Sequence, residues 1–236
     1  MAGLERLSDG LPLSRRRALA WLGGVGLAAV LPGCADDEQA AAPATTTAAT
    51  TEGAAADCIL TPELTEGPYY LDLDLVRRDI TEGRPGVPFD LAVTVVDAES
   101  CEPIEGAAVD VWHCDAEGVY SGVEGDSGTF LRGVQMTGAD GAASFRTIFP
   151  GWYTGRAVHV HLKVALGTED VHTGQLFFDD ATLAAAYESD PYAARGAPDT
   201  SNDADGIYGE SGGSTVVAVT PGETYRGSVT LGVQRA

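Results

Sequence analysis

His159 and His161 stand two residues apart in Val158-His159-Val160-His161-Leu162-Lys163-Val164. On a strand, successive side chains point to opposite faces, so the valines and Leu162 line one face and His159, His161 and Lys163 the other. Strand rise puts two such histidines roughly 6.5–7 Å apart at Cα, close enough to reach one metal ion between them. The pair alone does not choose the metal. Zinc and copper also accept imidazole, and His-x-His occurs on strands for purely structural reasons.

Two tyrosines stand nearby in the chain. Pro150-Gly151-Trp152-Tyr153-Thr154-Gly155-Arg156 leads straight into the histidine strand, and Asp115-Ala116-Glu117-Gly118-Val119-Tyr120-Ser121-Gly122 follows another apolar stretch, AVDVWHC. Each places a tyrosine in a Gly-flanked loop beside a strand end. Taken singly, such a residue ordinarily packs or makes a surface hydrogen bond. His113, beside Trp112 in a strand interior, reads as a core residue rather than a further ligand. His172, ahead of Gln175, reads as a surface residue or one that backs the site. No Gly-rich phosphate loop, Gly-x-Ser-x-Gly turn or Cys-x-x-Cys pair is present, so nucleotide binding, serine hydrolysis and structural zinc lack support.

The elements that must position these residues are strands. From Phe89 onward the pattern has period two: FDLAVTVVD, AAVDVWH, SFRTIF, VHVHLKV, QLFF, STVVAVT and YRGSVTLGV. Turn signals separate them at 97–106, 138–141, Pro150-Gly151 and Pro221-Gly222. Short alternating segments divided by Gly, Pro and Asp predict an all-β fold, an antiparallel β-sandwich with long loops. One short helix is predicted at 180–188 (DATLAAAYE), and 189–213 is expected to be a surface loop lying against a site.

Ahead of the strands the composition changes twice. Ser14-Arg15-Arg16-Arg17 precedes an apolar run, Ala18 to Leu31, shorter than the roughly 20 residues a membrane span needs. Residues 1–34 therefore read as an export signal of the twin-arginine type, an ordinary secretory signal being the alternative. Leu31-Pro32-Gly33-Cys34 resembles a bacterial lipobox, with Cys34 as the lipidated residue, although proline departs from the small residue usual there. Residues 35–57 are rich in Ala and Thr and lack apolar periodicity, so a disordered tether is expected, leaving 58–236 as one domain. The reading is of an exported protein, lipid-anchored at the cell surface or secreted, that meets membrane only through its N-terminal lipid.

The formal charge is −21. Residues 1–34 hold four arginines and two acids, so the remainder carries −23. Such a charge repels phosphate backbones and excludes nucleic acid as a partner. Of four cysteines, Cys34 belongs to the lipobox. Three remain in an oxidising compartment, which implies one pair and one thiol. Cys114, in an apolar strand, is the candidate buried thiol, and Cys58 with Cys101 the bridge.

Together the segments TEGPYY (65–70), VDVWHCDAEGVYSG (109–122), FLRGVQMTGADGAASFRTIFPGWYTGRAVHVHLKV (130–164) and HTGQLFFDD (172–180) resemble the intradiol ring-cleavage dioxygenases, the family of the protocatechuate and catechol enzymes. The likeness runs from about Cys58 to the C-terminus and is strongest to exported single-domain members. It implies the family's transthyretin-like sandwich topology and a non-haem Fe(III) centre. Tyr120 and His159 would be equatorial ligands, Tyr153 and His161 axial. Arg156 would face the substrate ring, Gln175 would stand close behind it, and Tyr69 and Tyr70 would border the pocket. Catechol-type aromatics and dioxygen are the implied substrates and muconate-type diacids the products, with Tyr153 accepting a catechol proton. The helical dimer segment of the catechol enzymes is replaced here by signal and tether, so that interface is expected to be absent, and the oligomeric state stays open. One other likeness competes: VVDAESCEPIEGAAVDVW followed by TGADGAASF resembles the transthyretin-like modules of surface proteins, which would make this a noncatalytic, tethered binding domain. That alternative gives no reason for two loop tyrosines to accompany His-x-His and Arg156.

Overall fold

A computed structural model describes residues 59–123 and 125–235. The signal, the tether, Cys34 and Cys58 lie outside them. Eight strands form two four-stranded sheets packed face to face. The first sheet contains β1 (Pro88–Asp97), β4 (Ala142–Ile148), β7 (Ala218–Thr220) and β8 (Tyr225–Val233) in the order β4-β1-β8-β7. The second contains β2 (Ala108–Trp112), β3 (Arg132–Met136), β5 (His159–Leu166) and β6 (Glu169–Phe177) in the order β3-β2-β5-β6. The sandwich is the predicted one, and the pairings are antiparallel except β1 with β8. Parallel neighbours need a long crossover. Here the crossover contains the whole second sheet together with β4 and β7.

The alternating sequences build the core directly. Phe89, Leu91, Val93 and Val95 of β1 are enclosed against Val109, Val111, Val160, Leu162 and Val164 of the second sheet. β3 was not apparent as a strand, because RGVQM has no apolar alternation and carries a glycine where a Cβ would stand 2.6 Å from Ile80. The helix at Asp180–Tyr187 (α1) matches the expected one and is capped by Asp179, whose carboxylate accepts from the Thr182 amide at 2.9 Å. A second helix, α2 (Gly206–Ser211), corrects the expectation of a single helix. It lies in the stretch read as loop and is too short to show periodicity.

Opposed residues of paired strands point to the same face. The register therefore makes a row, Arg132–Trp112–His161–Gln175, across the outer face of the second sheet. Residues 64–76 cross over this row, from the Leu64 amide on Thr173 O of β6 (2.9 Å) to the Val134 amide of β3 on Leu75 O (2.8 Å). Both faces of β5 are thus covered, which is why its polar residues are as buried as its valines.

Two buried groups settle other expectations. Cys114 is a free, buried thiol, and Cys101 is disulfide-bonded. His113 ties the sheets together: its Nδ1 donates to the Cys114 carbonyl at 2.8 Å, and its Nε2 accepts from the Thr147 hydroxyl of β4 at 2.7 Å. It is a core residue, as its sequence position indicated.

Leu162→Ala, at a fully enclosed position, should lower the unfolding free energy by about 2–5 kcal/mol in urea titration. Glu169→Ala, at an exposed one, should move it by no more than about 0.5 kcal/mol. A second prediction concerns acid. Burial holds the His113 imidazole down at about 4 against its ordinary 6.5. Below pH 6.5 the unfolded ring binds a proton that the folded ring refuses, so stability is fully present above that pH and is lost as pH falls toward 4. About 3 kcal/mol should disappear across this window. His113→Gln should flatten that part of the curve; an unchanged slope would mean the ring's neutrality does not matter.

Candidate metal centre

β5 presents His159 and His161 outward, as the alternation of Val160, Leu162 and Val164 requires. His159 Nδ1 faces the Ala157 carbonyl at 2.6 Å. A carbonyl can only accept, so Nδ1 carries the proton and Nε2 presents its lone pair. Around that lone pair stand His161 Nε2 at 3.1 Å, Tyr153 Oη at 3.1 Å and Tyr120 Oη at 3.4 Å. Four atoms from a strand and two separate loops thus converge on one point. Donors bound to a common ion at roughly 2.1 Å stand about this far from one another, so the set fits a metal ion in spacing as well as in donor chemistry. Among the described residues there is no cluster of three or more His, Cys, Asp or Glu side chains suited to a metal; this set relies on phenols instead.

The tyrosine loops are joined to each other. A Cβ on Gly118, which sits at φ +84°, would lie 2.3 Å from the Trp152 carbonyl, and one on Gly151 would lie 2.2 Å from the Asp115 carbonyl. Only glycines let these backbones meet. Arg195 then binds both, donating from Nη1 to Ala116 O at 3.1 Å and Trp152 O at 2.7 Å. Behind Tyr120, the buried Arg132 donates from Nε and Nη2 to the Ser121 carbonyl at 3.2 and 2.7 Å.

Burial dominates the electrostatics. It holds His159 down at about 3 and His161 well below its ordinary value, so both rings are neutral and available as donors. It pushes the Tyr120 hydroxyl well above 10 and raises Tyr153 as well. Two phenols that resist ionisation in a closed site become phenolates only if a strong positive charge arrives beside them.

Arg156 and Gln175 are brought together next to this set. Arg156 Nη2 donates to Gln175 Oε1 at 2.5 Å, and Gln175 Nε2 to the Thr65 carbonyl at 2.9 Å. Tyr69 stacks on Tyr120, with centroids 4.6 Å apart, and meets Tyr153 edge-on. Tyr70 stands one layer away, against Trp112 (4.9 Å) and beneath the Lys163 ammonium (4.1 Å). Trp112 in turn lies flat on His161, at 5.0 Å and 6°. His172 differs from expectation: it is buried, and its register partner is Val164, so it points to the inner face. Being three residues from Gln175, it cannot share that residue's side of β6.

Three residues escaped the sequence reading: Arg132, Arg195 and Asp205. Asp205 accepts from Arg156 Nε at 2.9 Å and from the Ala157 amide at 2.8 Å. The FLRG segment contained Arg132, but nothing local marked it as buried, and the other two lie in a stretch without pattern.

Residues 61–195 match the family model described as Dioxygenase. A solved intradiol ring-cleavage dioxygenase from Tetranychus urticae superposes with a TM-score of 0.72 at 33% identity, covering 75% of this chain and 95% of that one. Catechol 1,2-dioxygenase 1 of Acinetobacter lwoffii is 35% identical over 103 residues, 39% of this chain and 32% of the relative. Chlorocatechol 1,2-dioxygenase of Cupriavidus pinatubonensis is 30% identical over 143 residues, 50% of this chain and 54% of the relative. The chain therefore spans between a third and about half of those two proteins' length.

Proposed function

Because the chain belongs to the intradiol ring-cleavage dioxygenase family, we propose that it opens the ring of catechol-type aromatics between the two hydroxyl-bearing carbons, with dioxygen, to give muconate-type diacids. The convergence of Tyr120, Tyr153 and His161 on His159 Nε2 carries this reading. These four would hold a ferric ion: phenolates suit a hard, highly charged cation, and two neutral imidazoles complete the protein's share. When bound, Fe(III) supplies the Lewis acidity that draws electron density from the catecholate and readies its ring for dioxygen.

The chain's own residues do the rest. Tyr153 is only partly buried where Tyr120 is enclosed, so Tyr153 is the side chain with room to move, and as the phenolate that a bound cation would make of it, its Oη would take a proton from an incoming catechol hydroxyl and return to the neutral phenol. Tyr120, Arg132 and Ser121 form the fixed side of the site. The Arg156 guanidinium, steered by Gln175, stabilises anionic character as it grows on the ring. Tyr69 gives the substrate ring an aromatic wall. The substrate class is the small ortho-diols: the names of two matched relatives print catechol and chlorocatechol, and hydroxyquinol and lignin-derived fragments carry the same pair of adjacent hydroxyls. A noncatalytic surface module would have no use for two phenols and two imidazoles gathered at one point.

The test is a visible spectrum of the iron-supplied protein before and after catechol, with oxygen uptake on a panel of ortho-diols. A tyrosinate-to-iron charge-transfer band that moves to longer wavelength with catechol, together with turnover, is expected. Tyr153→Phe should weaken the band and cut turnover by about 10²-fold or more. A colourless, iron-free protein that consumes no oxygen on any ortho-diol would end this reading.

A further inference from the structure

Asp205 lies in the pattern-free stretch after α1, yet its side chain is only 2% exposed. Its two oxygens serve different structures. Oδ1 accepts from the Ile207 amide at 2.8 Å and the Tyr208 amide at 3.4 Å, capping α2. Oδ2 accepts from Arg156 Nε at 2.9 Å and from the Ala157 amide at 2.8 Å. The far end of that same Ala157 residue is the carbonyl that holds His159 Nδ1.

We propose that Asp205 is a positioning residue for the centre, a single buried carboxylate that aims the Arg156 guanidinium inward and, through Ala157, orients the His159 ring. The inference rests on the ring-cleavage reading above. Its physical basis is the sign of the charges. A guanidinium that is only 19% exposed has left most of its water behind, and without a counter-charge it is drawn outward to recover it. Gln175, the other partner of Arg156, is neutral and cannot oppose this. Asp205 supplies the missing anion and fixes the direction as well, because its Oδ2 is shared with the Ala157 amide, two residues ahead of β5. A residue from the loop region thus sets the geometry of the arginine ahead of β5 and of the first histidine on it.

Asp205→Asn separates the two duties. Asn caps helices as well as Asp does, so α2 keeps its cap, while the charge is lost and an amide nitrogen can face Arg156 Nε and the Ala157 amide. Asp205→Ser, also a good cap, serves as a second variant if Asn impairs folding. The first readout needs no iron: hydrogen exchange of the Arg156 Nε–H and the Ile207 amide, by NMR on the full chain. In Asp205→Asn the Arg156 signal should exchange at least tenfold faster while the Ile207 amide stays protected. The second is steady-state kinetics on catechol with iron-loaded protein. Loss of a group that orients a ligand or its partner typically costs 10–100-fold, expected here in kcat at equal iron content. Removing Asp205 from an Arg156→Ala background should cost several-fold less than removing it from the wild type. Wild-type exchange at Arg156 in the Asn variant, or an equal kinetic loss in both backgrounds, overturns the proposal. A wild-type protein that turns over no ortho-diol defeats the ring-cleavage reading instead, while the exchange measurement still decides the role of Asp205.

Discussion

The centre hangs on the two-residue repeat of β5. Val160, Leu162 and Val164 must face the first sheet for the sandwich to close, and that requirement alone turns His159 and His161 outward. A slip of one residue would drive both imidazoles into the core and expose the valines. Hydrophobic burial on one face therefore aims the ligands on the other. The crossing segment 64–76 then covers the outer face, so the histidines stay uncharged and the Tyr120 hydroxyl stays dry.

Once β5 is in register, precision comes from backbone contacts that tolerate little change. Gly118 and Gly151 allow two loops to touch at distances no side chain would permit, and Arg195 holds the contact with hydrogen bonds to both. The two histidines are secured differently. His159 is fixed by a hydrogen bond to Ala157, whereas His161 is held by the flat face of Trp112 and by the Gly67 backbone, where a Cβ would come within 3.0 Å of Cε1.

Legibility in the sequence followed periodicity and motif. The alternation of FDLAVTVVD and VHVHLKV showed the sandwich and the outward histidines, and the family resemblance, rather than the Gly-flanked tyrosines by themselves, pointed to the loops that meet them. β3 was invisible because its stability comes from neighbours on both edges rather than from its own residues. His172 was misplaced although its parity with Gln175 could have been counted. Asp205, Arg132 and Arg195 act through contacts between segments distant in the chain, such as the 48-residue gap between Asp205 and Ala157. No local pattern records contacts of that kind.

The parallel pairing of β1 with β8 has a bearing on how the chain acquires its shape. Phe89 meets Tyr225, and the register runs on to Asp97 with Val233, so this ladder joins the first described strand to the last. The sheet that carries the ligands draws on Ala108 to Phe177 alone. Topologies dominated by such distant pairings fold slowly, because loop closure must precede the contacts that reward it. The ligand-bearing half can therefore organise while β8 is still being made, and the other half waits for that strand. Until then the apolar edge of β1 beside the place of β8 stands open, and the interval is one in which the nascent chain is vulnerable to association with its own copies.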